Sequence, residues 1–423
     1  MKKFTLKITL LTICIGLPLA SFAQTELEEG YTSDQCMECH EEMAEDHAAS
    51  THGDIQCLQC HPQAADESHE ELSQPLVDCR QCHAPHDENV THDAHSRVAC
   101  KACHQKDGVA ASDPESGQVV FGGETVPGGN LSPHQMVALE GDTSCYSCHF
   151  EGNHLGASAM ILPSKSILCM PCHAATFSIG DRTTLFALLI FTLGMGGLVA
   201  VWFSGGRTER SAHGAHGSFS ALAAAFLADV LFIKKLYNLS PVRWVVHALI
   251  YYPILMRLTF GLIALGFSLL LPDMDLTRAM LDKNHPIRAQ FFDLTGLMIL
   301  TGVFAALFRP EEGRQAVVDL PAPGRAMTVL LGLIVLVGFI LEGLRIAMTG
   351  WPTGGHYAII GYSISLMVKG MTGIANIYGY VWYGHAILTG VFVALIPFTR
   401  MLHMVTAPVV LMADARSHKK ATH

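Results

Sequence analysis

Twelve of the thirteen cysteines stand in pairs, three positions apart, and each pair is followed at once by histidine. The six units are Cys36, Cys39 and His40; Cys57, Cys60 and His61; Cys79, Cys82 and His83; Cys100, Cys103 and His104; Cys145, Cys148 and His149; and Cys169, Cys172 and His173. C-x-x-C-H is the attachment signature of c-type haem. Two thiols at this spacing add to the two vinyl groups of one porphyrin, and the adjacent imidazole becomes an axial ligand of the iron. A disulfide framework, a zinc site or a redox dithiol could each use C-x-x-C. None of these calls for histidine immediately afterwards six times over. Six covalently bound haem c groups follow, with the six motif histidines as proximal ligands.

Six-coordinate irons would need six further axial ligands. Eight histidines in the same region lie outside the motifs and are candidates: His47, His52, His69, His86, His92, His95, His134 and His154. Two would be spectators if ligation were bis-histidine throughout. His52, His86, His95 and His154 stand where periplasmic multihaem cytochromes resembling nitrite-reductase partners place distal ligands. Methionine ligation, which raises the potential, keeps Met43, Met136 and Met160 open as alternatives.

The elements that must hold these groups divide the chain near residue 180. All cysteines lie at or before Cys172, and residues 24–180 carry 25 Asp and Glu against 5 Lys and Arg, whereas residues 181–423 carry 12 against 19. No basic patch with interleaved aromatics exists in the acidic half, which excludes nucleic acid as a partner; an acidic outer face suits basic redox proteins. The acidic half has little hydrophobic periodicity and much Gly, Pro, Asp and Ser, so it cannot build a conventional core. The expected fold there is an irregular cytochrome c domain packed around its haems. Residues 1–23 read as a signal peptide, with Lys2, Lys3 and Lys7 before an apolar run and Ser21 and Ala23 ahead of a cut before Gln24; an uncleaved anchor is the alternative. Cys14 falls in that run as a bystander. Residues 24–180 are thereby expected in the periplasm.

Half the residues are apolar and only 15% are charged, against about 25% in soluble chains. The excess lies in residues 181–423, where apolar stretches at about 184–203, 244–271, 291–308, 327–348 and 380–403 are long enough to span a bilayer. An all-α bundle of five transmembrane helices is expected. Residues 218–237, with Asp229, Lys234 and Lys235, read as a helix on the membrane surface; if they spanned, the count would be six. The segments expected inside (204–243, 309–325 and 404–423) hold eleven Lys and Arg, and those outside (272–290 and 345–379) hold five. This bias places the C-terminus in the cytoplasm of a bacterial inner membrane.

His247, His385 and His403 fall inside the spans, where ionisable groups are usually functional. On one continuous helix, His385 and His403 would be five turns and about 27 Å apart on a common face. An interfacial anchor is the plainer role for any one of them.

At this point the chain resembles a family. The segments Asp229-Val-Leu-Phe-Ile-Lys-Lys-Leu-Tyr-Asn-Leu-Ser-Pro-Val-Arg-Trp-Val-Val-His247 and Phe291-Phe-Asp-Leu-Thr-Gly-Leu-Met-Ile-Leu-Thr-Gly302, with residues 385–403, resemble the gamma subunit of respiratory nitrate reductase, its membrane cytochrome b. They are closer still to relatives in the transmembrane redox complexes of sulfate reducers and in heterodisulfide reductase. The resemblance covers residues 184–410. It implies five spans, two b haems held by two histidines on the second span and two on the fifth, and electron exchange with quinone. It pairs His247 with His403 for an inner haem b. Arg257 stands where the family has its other second-span histidine, so either one haem b is bound, or two with another partner for His385. His285 and His356 are the candidates for that partner. Arg257 itself suits a haem propionate or quinone contact, and Lys369 and His356 are further polar groups for a quinone site.

The expected function is quinol oxidation, with menaquinol the leading substrate, and electron transfer through haem b to the six haem c groups and a periplasmic redox protein. The expected partners are membrane lipid, the quinone pool, that periplasmic protein and a cytoplasmic iron-sulfur subunit. Reverse flow from a periplasmic donor to quinone, and a non-catalytic haem wire and anchor within a larger complex, are the alternatives. No catalytic residue is singled out. Intact-mass measurement of the mature protein should show six haem adducts that survive denaturation, and replacing both cysteines of any one motif by serine should remove one.

Overall fold

The computed structural model describes residues 32–65, 79, 82–83, 95, 98–105, 110–113, 119–121, 134–137, 142–153, 155–163, 165–175, 177–205, 219–271, 274–308 and 324–417. The expected signal peptide, Cys14, His69, His86, His92 and His154 lie outside them. The chain forms two compact units, residues 1–79 and 80–423.

In the first unit, helices α1 (Ser33–Met37), α2 (Glu41–Ala48) and α3 (Cys57–Cys60) carry the first two motifs. Thr32 starts α1, its N–H donating to Gln35 Oε1 at 2.7 Å. Ser33 Oγ accepts the Cys57 N–H at 3.2 Å, which ties the two motifs together.

The second unit opens with α4 (Cys100–His104) and a short antiparallel hairpin, β1 (Ala110–Ser112) and β2 (Val119–Phe121), in which Ala111 pairs with Val120. Five long apolar helices follow. They are α5 (Arg182–Gly205), α8 (Pro241–Leu270), α10 (Pro286–Leu307), α11 (Gly324–Met348) and α13 (Ile374–Leu395). Their membrane-compatible stretches run from 20 to 33 residues, and 20 residues already rise about 30 Å, the thickness of the hydrocarbon layer. Start signals agree with the sequence: Ser240 Oγ accepts the Arg243 N–H ahead of Pro241, and His285 precedes Pro286, so proline takes the first turn of both helices.

The helices pack in the order α8, α10, α11, α13, α5. Their shared core is Ile299, Val303, Leu331, Val335 and Phe339. Large apolar side chains such as Phe186, Leu193, Leu294 and Phe304 face outward, as surfaces meeting lipid do. A shorter helix, α12 (Ile359–Met367), lies against α11. It approaches closely because a Cβ on Gly343 would sit 2.5 Å from Ile364, the small-residue contact that membrane helices use. The first turn of α12 is held by Asp293 of α10, whose Oδ2 accepts the Ile360 N–H at 2.7 Å.

Two expectations about the helices need correction. The fifth apolar stretch is not one helix through His403. It begins at Ile374, leaves α-helical geometry after Leu395, and passes through 3-10 turns Ile396–Phe398 and Arg400–Leu402 before α14 (His403–Ser417) starts. Pro397 supplies no N–H and Thr399 is extended at φ −131°, ψ 177°, so the α ladder cannot continue. His385 and His403 therefore sit on different helices, and their five-turn alignment does not exist. The stretch 218–237 also divides, into α6 (Phe219–Ala225), a π-helical turn Phe226–Leu231 and α7 (Lys234–Leu239), with Ile233 at φ 53° between the last two. None of these pieces is long enough to span. α14 packs against α6 and the π turn.

Polar groups inside the bundle meet one another, as hydrocarbon surroundings demand. Arg345 Nη1 donates to Asn284 Oδ1 at 2.9 Å and Nη2 to Glu342 Oε1 at 2.7 Å. Asp293→Ala should leave the Ile360 N–H without its acceptor and cost about 1–3 kcal/mol, lowering the thermal midpoint in detergent. Asp293→Asn, which keeps an oxygen there, should lose less.

Candidate functional site

In the first, second, fifth and sixth motifs the histidine N–H donates to the carbonyl of the first cysteine, at 3.0, 2.9, 2.9 and 2.8 Å. Each motif is thus one helical turn, and positions i, i+3 and i+4 of a turn share a face. The two thiols and the imidazole are so presented together. The ring nitrogen that must not ligate is also fixed in places. His104 Nδ1 lies 3.1 Å from the Val137 carbonyl and His149 Nδ1 2.8 Å from that of Ser158. Metal-bound histidines use their second nitrogen this way.

Cys36 of the first motif lies against Cys57 of the second; burial, with that neighbour, pushes the Cys36 thiol above its ordinary value. His47 and His52 flank the Ser50 turn that follows α2: the His47 carbonyl accepts from Ser50, and the His52 N–H donates to Ser50 Oγ at 3.0 Å. Met43 is in α2. His134 and Met136 lie beside the fourth motif, where Gln105 bridges to Met136 and the Val137 N–H donates to the His104 carbonyl at 2.8 Å. Met160 packs its sulfur against Gly379 of α13.

Three pairs of imidazoles face one another at nearly one distance. His95 and His149 have ring centroids 6.1 Å apart, His247 and His403 6.1 Å, and His173 and His385 6.3 Å. A metal–imidazole bond is about 2 Å, and ring bonds of about 1.35 Å put each nitrogen about 1.15 Å from its centroid. Two imidazoles on opposite sides of one iron therefore have centroids roughly 6.3 Å apart. The donor sets fit haem iron in spacing and in chemistry.

His247 lies on α8, and His403 opens α14 with its Nδ1 2.6 Å from the Arg400 carbonyl. The structure brings together the two residues that the family resemblance pairs. His385 has a different neighbour from those expected. His285 occupies the N-cap of α10, and His356 stacks on Tyr357 at 4.2 Å. The imidazole beside His385 is that of His173, from the sixth haem motif. The motif segment enters the bundle: Met170, Ala174 and Ala175 are buried against Leu258, Phe260, Ala264 and Leu265 of α8. Gly261 permits this, since a Cβ there would lie 2.8 Å from the His173 carbonyl oxygen. Phe292 stacks on the His173 ring at 6.1 Å with planes 9° apart.

Arg257 stands one turn before Gly261. Its Nε donates to Thr295 Oγ1 at 2.7 Å, its Nη2 donates to the Phe292 carbonyl, and its guanidinium also hydrogen-bonds the Cys172 thiol and lies 5.1 Å from the Phe292 ring centroid. Lys369 instead covers the face of Trp351 at 5.5 Å. The three polar groups offered by the sequence for a quinone site thus go to separate partners. The His173–His385 pairing was missed because it joins two halves read separately. One signal was available: only eight residues separate His173 from Arg182, where α5 begins, so the sixth motif cannot lie far from the bundle.

Comparison with known proteins supports both halves. Residues 68–174 match the cytochrome c3 family. The matched stretch holds the third to sixth motifs and stops just after His173, and the match implies covalently bound haem c. The membrane half is similar to one of the subunits of the dihydromethanophenazine:CoB–CoM heterodisulfide reductase of Methanosarcina thermophila, 26% identical over 222 residues, which are 49% of this chain and 70% of that protein. No solved structure matches. A cytochrome c3-like segment joined to a helical region with five candidate membrane helices points to electron transfer at a membrane.

Gly261→Val should force the His173 loop away from α8 and cost about 1–3 kcal/mol, as overpacking does. Gly266→Val on the same helix, where an added Cβ meets nothing within 4 Å, should leave the thermal midpoint nearly unchanged.

Proposed function

We propose that the chain is a membrane-bound quinol dehydrogenase of the bacterial inner membrane. It takes electrons from a quinol, menaquinol first among them, and delivers them through haem b and six haem c groups to a periplasmic redox protein. The observation that carries this reading is the His247–His403 pair, 6.1 Å apart within a membrane bundle that continues a cytochrome c3 segment. When bound, haem supplies a one-electron iron couple that the protein tunes by ligation and burial.

The residues do the rest. His403, fixed through Nδ1 by the Arg400 carbonyl, and His247 on α8 supply imidazole nitrogens from two elements. His247 Nδ1 is buried and has no hydrogen-bond partner among the described residues, a cost that ligation through that ring would offset. The apolar seam around Ile299, Val335 and Phe339 keeps water from the path between the two ends of the bundle. The excess of Lys and Arg in the expected inner segments supports placing the haem c domain in the periplasm and the C-terminus in the cytoplasm. The signal peptide reading of residues 1–23 agrees with that orientation.

The named relative supports a second reading, in which the chain is the membrane component of a larger complex. A cytoplasmic iron-sulfur protein would then dock on its inner face. Co-purification of such a protein at fixed stoichiometry, with no quinol oxidation by the chain alone, would favour it.

Reduced-minus-oxidised spectra of the purified protein should show a b-type α band beside the c-type band. His247→Ala and His403→Ala should each abolish the b band. Since losing even outer-shell support of a ligand costs 10–100-fold, quinol-dependent haem c reduction should fall by at least roughly 100-fold. A b band at full amplitude in both variants would defeat the proposal.

A further inference from the structure

We propose that the sixth covalent haem belongs to the membrane bundle: bonded to Cys169 and Cys172, it is held between His173 and His385 of α13. The bundle then carries one covalent c-type haem and one non-covalent haem, the latter between His247 and His403. This assignment rests on the haem reading of the C-x-x-C-H motifs but not on the direction of electron flow.

The geometry comes from two parts of the chain that share no local pattern. His173 and His385 are 6.3 Å apart between ring centroids, with planes at 71°, the separation of two imidazoles sharing one iron. A haem axis leaves the two ring planes free to rotate about it, so that angle is allowed. His385 Nδ1 is buried with no hydrogen-bond partner among the described residues, and its Cε1 faces Gly338 of α11, 3.6 Å from where a Cβ would stand. On the other side His173 is oriented by the stacked Phe292 ring.

The thiols are delivered to the same place. The N–H of His173 closes the motif turn on the Cys169 carbonyl at 2.8 Å, and the Cys172 thiol is bonded by Arg257 of α8. Each thiol would add across one vinyl group, sulfur to one carbon and hydrogen to the next, with no oxidant or reductant consumed. Attachment would thus anchor, in the bundle, a haem whose second ligand comes from a transmembrane helix. Arg257 and Gly261, one turn apart on α8, both meet the motif segment: one bonds Cys172, and the other leaves room for the His173 carbonyl. His247 lies fourteen residues before Gly261 on that helix, so the two sites stand roughly 21 Å apart along the axis.

The test uses the full-length haem-loaded protein in detergent. Pyridine haemochrome analysis should give c and b haem in a ratio of six to one. His385→Gly should keep six covalent adducts by intact mass and the whole b band, while one c haem changes from low-spin to high-spin in the optical and EPR spectra. Added imidazole should restore the low-spin form, which a merely misfolded variant would not do. Two b haems per chain, or a His385→Gly protein that loses b absorbance while all c haems stay low-spin, overturns the assignment and leaves the proposed function standing. A wild-type protein with no b band, whose His385→Gly variant still turns one c haem high-spin, retires the proposed function and keeps this assignment.

Discussion

An iron that takes two imidazoles fixes their rings on one line, about 6 Å apart between centroids, and much of the second unit is arranged around that requirement. His95 and His149, His173 and His385, and His247 and His403 reach it from separate stretches of chain. No periodic element could deliver all three. A turn fixes each motif, a glycine lets one loop approach a helix, and a break in the fifth apolar stretch starts a fresh helix at His403. The backbone departures fall where a ligand has to be placed.

The membrane imposes the opposite demand, since backbone polar groups in hydrocarbon must be satisfied from within. Regular helices meet it without help, and the irregular places meet it with side chains. Thr399 donates to the Leu395 carbonyl at 2.9 Å and accepts the Met401 N–H at 3.4 Å across the break after α13. Asp293 holds the start of α12, and Arg345 joins Asn284 to Glu342. Arg257, expensive at membrane depth, is surrounded by Thr295, the Phe292 carbonyl and Cys172.

What could be read from the sequence follows how local each feature is. The motif turns were legible because cysteines at i and i+3 with histidine at i+4 share a helical face by geometry alone. The five spans were legible because apolar length is a property of a continuous stretch. The pairing of His247 with His403 came from a family resemblance, since spacing in the chain says nothing about two helices meeting. The partner of His385 was not legible in either way: it lies in the half read as a separate domain, beyond the point where charge and hydropathy divide. The helix break had a visible cause in Pro397, but a long apolar run outweighed it. The acceptor for the first turn of α12 is 67 positions away, and no window along the chain contains both.

The separation of α13 from α14 bears on how such a chain tolerates change. In an unbroken helix, one inserted residue between His385 and His403 would turn the second imidazole by 100° and shift it by about 1.5 Å. The mixed 3-10 and extended geometry between Leu395 and His403 acts instead as slack, able to absorb a changed register. Span length can drift with bilayer thickness while His403 keeps its place through α14 and its packing on α6. The two ends of the bundle can therefore be altered one at a time, by lineage or by design.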